Sequence, residues 1–159
     1  MNILFVCTHN RCRSILCEAV VNYVAGDSIK AFSAGSQPEG RVHPMSLERL
    51  DALGIPTTNL QSQSWDEFDD HAIDLVITVC DSAAGESCPL WLGNTPKVHW
   101  GLPDPSKLSV SKEAQAQAFD SLIRVLMSRA NRLIDLPNKQ LSSQQLIEAC
   151  ITIANLEPI

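Results

Sequence analysis

The chain opens on a short apolar run, Asn2 to Val6, too brief for a helix and aliphatic enough for a buried strand. From Ser14 the period changes. Ile15, Leu16, Ala19, Val20, Tyr23 and Val24 recur every three or four residues, the spacing of a helix face, and Gly26 is placed to cap its end. Ile29 to Ala34 reads as a second strand closed by Gly35, and Pro44 to Leu53 as a short helix running into Gly54. Ile73 to Val79 is the clearest strand, apolar on both faces as central strands of a parallel sheet are. Lys97 to Trp100 predicts a fourth. Ser111 to Leu136 carries a long amphipathic helix, with Phe119, Leu122, Ile123, Leu126 and Leu133 on its apolar side and Ser111 as its cap. After Pro137, Ser142 to Ala154 predicts one more helix. Strands alternating with helices imply an α/β domain, doubly wound, with a four-stranded parallel sheet flanked by helices. That domain spans 1–136, and 137–159 is a helical extension whose apolar residues pack on it or on a partner.

Length and composition fit this reading. The 159 residues are enough for one well-buried core, and 45% hydrophobic with 19% charged residues is ordinary for a globular chain. Twelve basic residues against 18 acidic ones give a net charge of -6, which disfavours nucleic acid or an anionic membrane as a partner. No apolar run approaches the roughly 18 residues of a membrane span. MNILFVCTHN lacks the features of a secretion signal, so a cytoplasmic location is expected. In a reducing compartment the six cysteines are not a disulfide scaffold. Cys17 and Cys150 fall on helical patterns and read as inert, and His43, His71 and His99 lack ligand spacing and read as structural.

The other cysteines stand in chemically pointed surroundings. After the first strand the chain reads Cys7-Thr8-His9-Asn10-Arg11-Cys12-Arg13-Ser14, directly ahead of a helix. A loop at the carboxyl end of a parallel strand is where such sheets bind ligands, and its backbone N–H groups with the helix dipole favour an anion. Arg11 and Arg13 add positive charge, and a guanidinium takes an oxyanion bidentately. Cys7 at the base of this field is expected to ionise well below the free-thiol value of about 8.5 and to attack a tetrahedral oxyanion. The loop has neither the glycines nor the Gly-Lys-Ser/Thr ending of nucleotide loops.

Strand three runs into Cys80, with Cys88-Pro89 eight residues on. If the strands carrying Cys7 and Cys80 are neighbours, about 4.8 Å separates them, within the roughly 4.4–6.8 Å a disulfide spans. Cys80 could then attack sulfur on Cys7, and Cys88 could attack Cys80, a relay by thiol–disulfide exchange. Zinc ligation would need a second close pair that the chain lacks, so no metal and no cofactor are expected. Asp104, just past strand four, can protonate an oxygen leaving the oxyanion.

Cys7 followed by five residues, Arg13 and Ser14, together with Ser33-Ala34-Gly35, resembles the low-molecular-weight protein tyrosine phosphatase fold over roughly Asn2 to Leu136. Cys7-Thr8, Cys12-Arg13-Ser14, Cys80 with Cys88-Pro89, and His99-Trp100-Gly101-Leu102-Pro103-Asp104-Pro105 together resemble the three-cysteine arsenate reductases built on that fold, in particular their thioredoxin-coupled class. The resemblance implies an oxyanion loop of Thr8, His9, Asn10, Arg11, Cys12, Arg13 and Ser14, with Ser14 stabilising the thiolate. It further implies catalysis by Cys7, Arg13, Cys80, Cys88 and Asp104. Arsenate would be the substrate, phosphate a competing oxyanion and thioredoxin the reductant, with a glutathione–glutaredoxin couple left open by the residues themselves. A phosphatase using only Cys7, Arg13 and Asp104 is the alternative, and Cys12 is placed for a second disulfide with Cys7 or for simple loop packing. Some relatives hold potassium on four positions, three of which match as Asn10, Glu18 and Ser33, while the aspartate is replaced by Gln63.

Overall fold

The computed structural model describes residues 1–86 and 89–159. Four strands, β1 (Asn2–Cys7), β2 (Lys30–Gly35), β3 (Leu75–Thr78) and β4 (Lys97–His99), form one parallel sheet in the order β2-β1-β3-β4. Among the described residues five α-helices accompany it: α1 (Arg13–Ala25), α2 (Pro44–Ala52), α3 (Asp81–Gly85), α4 (Lys112–Leu133) and α5 (Ser143–Leu156). The α/β architecture expected from the alternation of strand and helix periods is present, with β1 and β3 as the two central strands. Their side chains Ile3, Leu4, Phe5, Leu75, Val76 and Ile77 are all wholly buried. That is why these runs are apolar at consecutive positions rather than alternate ones.

The pairing register fixes the functional edge. Val6 lies opposite Thr78 on one side and Ala34 on the other, and Val79 donates its N–H to the Val6 carbonyl. Cys7 and Cys80 therefore leave adjacent strands at the same carboxyl edge. Gly35 pairs with Cys7, and a Cβ at Gly35 would sit 2.5 Å from the Thr8 carbonyl, so the loop after β1 can pass over β2 only because residue 35 is glycine.

Gly26 ends α1 as expected, directly after Ala25 and with φ of -58. Asn22 ties this end down, its amide exchanging two 2.9 Å hydrogen bonds with the backbone of Ala31 on β2. One local expectation changes. The long helix stops at Leu133, and Leu136–Lys139 forms a separate 3-10 turn around Pro137, which cannot donate to a continuing helix.

Helix α5 starts on a capping box between Ser142 and Gln145. It packs against α4 and β4 through Cys150 and Ile153. The Trp100 indole N–H donates to the Cys150 carbonyl at 3.1 Å, and the buried Arg129 guanidinium holds the Ala154 and Glu157 carbonyls while stacking over Trp100. Among the described residues no helix is long and apolar enough to cross a membrane.

Candidate active site

The segment after β1 folds into a loop that wraps around the Cys7 sulfur. Asn10 adopts φ of +45, a left-handed conformation that asparagine tolerates better than most residues. This turns its backbone N–H onto Cys7 Sγ at 3.2 Å, and Ser14 Oγ lies 2.9 Å from the same sulfur. Asn10 is wholly buried and braces the loop from beneath. Its Nδ2 donates to Ser14 Oγ at 2.8 Å and to Ser33 Oγ at 3.0 Å, while its Oδ1 accepts from the Gln63 N–H. Asn10 and Ser14 thus hold the nucleophile from the protein side. Cys7, Thr8, His9, Arg11, Cys12 and Arg13 line the open side, a cavity of about 70 Å³.

Two other segments complete that cavity. Cys80 and Ser82 enter from the end of β3, and Asp104 and Lys107 from the segment after β4. Arg13 projects from the first turn of α1, with Nη1 donating to the Leu102 carbonyl at 3.1 Å and Nη2 lying 3.3 Å from Asp104 Oδ2. The other Asp104 oxygen accepts from the Ser106 N–H and hydroxyl. Arg11 also lies 2.9 Å from Glu39 and holds the Glu39 carboxyl below the usual range.

Cys7 departs from expectation in its ionisation. Burial pushes its thiol up, because only 4% of the residue is exposed and a thiolate there loses hydration. Hydrogen bonds from Ser14 and Asn10 pull the other way without overcoming that cost, and the neighbouring Cys80 adds to the rise. Arg13, which was expected to lower it, directs its charge at Asp104. Ser14→Ala should raise the Cys7 thiol further. At pH 8 its alkylation, followed by peptide mass spectrometry, should slow by about tenfold, the equivalent of about 1.4 kcal/mol for one lost charge-assisted hydrogen bond. An unchanged rate would remove Ser14 from this role.

The remaining cysteines differ in kind. Cys12 caps the start of α1, near Ser46, and burial pushes its thiol up to about 12. Cys17 and Cys150 are wholly buried, with thiols also raised by burial. Cys88, expected as the third member of the relay, lies outside the described residues. The histidines do local work: His43 caps α2 and stacks on Phe119, His71 packs on Phe32 and Phe68, and His99 bridges Thr78 to Asp81.

Asn10, Glu18, Ser33 and Gln63 do converge, yet they do not suit potassium. Gln63 turns its amide nitrogen onto the Ser33 carbonyl, and Ser33 donates to Glu18, so the polar atoms are already paired with one another. Burial also pushes the Glu18 carboxyl up to about 7, making it a proton holder rather than a fixed anion. A carboxyl raised in the folded state binds its proton more tightly there than in the unfolded chain. Its stability contribution is therefore present at low pH and is lost between about pH 4.5 and 7. Glu18→Gln, which keeps the acceptor for Ser33, should raise stability at pH 8 by on the order of 2 kcal/mol and leave it unchanged at pH 4. Urea midpoints that move equally at both pH values would contradict this.

Lys107, Ser82 and Glu86 were not anticipated. Lys107 lies three residues past Asp104 on the 3-10 turn Pro105–Lys107, so its sequence position carried a signal. Ser82 and Glu86 sit in a small polar segment with nothing to distinguish them.

A loop that cages one cysteine, an arginine from the next helix and an aspartate from the segment past β4 meet around one cavity. The family model described as low molecular weight phosphotyrosine protein phosphatase matches residues 2–146, and the chain belongs to that family. Among its relatives, the arsenate reductase of Bacillus subtilis is 33% identical over 131 residues, 82% of this chain and 91% of that protein. A solved arsenate reductase from Archaeoglobus fulgidus aligns with a TM-score of 0.66 at 28% identity, covering 83% of this chain and 98% of that one. A thioredoxin-dependent arsenate reductase from Corynebacterium glutamicum aligns with a TM-score of 0.58 at 29% identity, covering 81% of this chain and 61% of that one.

Proposed function

We propose that this protein is a cytoplasmic arsenate reductase that works through a three-cysteine relay regenerated by thioredoxin. The observation that carries the reading is the position of Cys80. A phosphatase of this architecture needs one nucleophile, an arginine and an acid. Here a second buried thiol stands at the end of the neighbouring strand, lines the same cavity and lies 3.7 Å from the Thr8 hydroxyl.

Arsenate, with phosphate as its competitor, enters the loop as a tetrahedral anion and takes over Arg13 from Asp104. Asp104 so released supplies the proton to the oxygen that leaves as Cys7 attacks arsenic. The thiol proton of Cys7 passes to an oxygen of the bound dianion. Cys80 then attacks Cys7 sulfur. The Cys7–arsenic bond breaks with its electron pair on arsenic, so arsenite departs and a Cys7–Cys80 disulfide remains. Cys88 attacks Cys80, and the resulting Cys80–Cys88 disulfide is reduced by thioredoxin.

Mixing reduced protein with arsenate, without any reductant, tests the first half. One arsenite per protein and the loss of two thiols, found as a Cys7–Cys80 or Cys80–Cys88 linked peptide, is the expected outcome. Stoichiometric binding with no arsenite would leave a phosphatase or a passive oxyanion binder.

A further inference from the structure

Cys80 must shed a proton before it can attack, and the site provides a route for it. The Thr8 hydroxyl donates to Glu86 Oε1 at 3.1 Å and lies 3.7 Å from Cys80 Sγ. A hydroxyl has a single proton to give. With that proton directed at Glu86, the Cys80 thiol is the donor in its contact with Thr8. The direction along the chain is therefore fixed, from Cys80 through Thr8 to the carboxylate. On its other side Cys80 Sγ accepts the Ala83 N–H at 3.3 Å, which holds the sulfur in place as its proton leaves. The second Glu86 oxygen is buried and, among the described residues, has no hydrogen-bond partner. A half-buried carboxylate with one oxygen unpaired is costly to hold as an anion and gains by taking a proton.

We propose that Glu86 is the general base that activates Cys80, acting through the Thr8 hydroxyl. This role rests on the arsenate reductase reading above. In the step, the Cys80 proton moves to Thr8 Oγ1 as the Thr8 proton moves to Glu86 Oε1. The electron pair freed on Cys80 forms the bond to Cys7 Sγ. The Cys7–arsenic bond breaks with its pair on arsenic, which goes from the pentavalent to the trivalent state while two thiols become one disulfide. The proton on Glu86 returns to solvent once arsenite has left. Other charged groups around this route are His9, Arg11 and Arg13 on the loop, Asp104 and Lys107 after β4, and the pair of Asp81 on α3 with His99. None of them shares a hydrogen bond with Thr8 or Glu86 among the described residues.

A glutamine at position 86 can still accept the Thr8 hydroxyl, so Glu86→Gln keeps a tether but removes the base. The rate of arsenite release in a single turnover should fall about 10²-fold at pH 7, a typical general-base contribution. The deficit should narrow to within about threefold at pH 9.5, because hydroxide then takes the Cys80 proton in place of Glu86. Thr8→Val should reproduce the pH-dependent loss, and Thr8→Ser, which restores the hydroxyl, should recover it. Glu86→Gln within twofold of the parent at pH 7, or an equal deficit at both pH values, would overturn the role. A parent protein that releases no arsenite at all would overturn the reductase reading itself and this role with it, a result distinct from either.

Discussion

Arg13→Lys is expected to lower kcat/KM for arsenate by about 10²–10³-fold, the usual cost of removing one preorganised donor from a developing charge. A lysine keeps the charge, so the loss measures geometry. The Arg13 fork points one nitrogen at the Leu102 carbonyl and the other at Asp104, which places the guanidinium between the oxyanion loop and the acid. An ammonium cannot hold both partners and also present two parallel donors to an oxyanion. Both KM and kcat should suffer, because the same side chain binds the anion and registers Asp104 against it. Steady-state kinetics that show only a raised KM would mean that Arg13 binds arsenate without arranging the acid.

Cys88→Ser should limit the protein to about one turnover. Cys7 and Cys80 remain, so the first arsenate is still reduced and one arsenite leaves. Each of these residues is only 4% exposed, so a Cys7–Cys80 disulfide would lie below the surface. A protein reductant needs its thiolate in line with an accessible sulfur, which that bond does not offer. The disulfide should accumulate and be recovered as a linked peptide pair. Cys80→Ser should stop earlier, before arsenite is released. Sustained turnover of Cys88→Ser with thioredoxin would show that the relay needs only two thiols.

The fold and much of the site were legible because backbone periodicity reports directly on burial. The uninterrupted apolar run before Cys80 marks a strand covered on both faces, and the sheet places it beside β1, so two cysteines 73 positions apart share one edge. Arg13 stood out as a cation in a loop at a strand end, whereas Asp104 by itself read as a turn residue before Pro105 and was singled out by the resemblance. What escaped is what depends on three-dimensional balance. The ionisation of Cys7 turns on burial against hydrogen bonds from Ser14 and Asn10, and the Arg13–Asp104 pair diverts charge that the linear loop offers the sulfur. The hold of Asn22 on Ala31 at the end of α1 likewise escaped, because the two residues meet only once β2 is in place. Glu86 had no signal at all, since its partner Thr8 is 78 residues away.

The thiol relay predicts that electrons from NADPH reach arsenate through thioredoxin. The most direct measurement follows NADPH absorbance with purified protein, thioredoxin and thioredoxin reductase. Oxidation that requires arsenate, matches arsenite formed one for one and is slowed competitively by phosphate is the predicted result. No arsenate-dependent oxidation, from a protein that hydrolyses phenyl phosphate under the same conditions, would contradict the relay and leave a phosphatase.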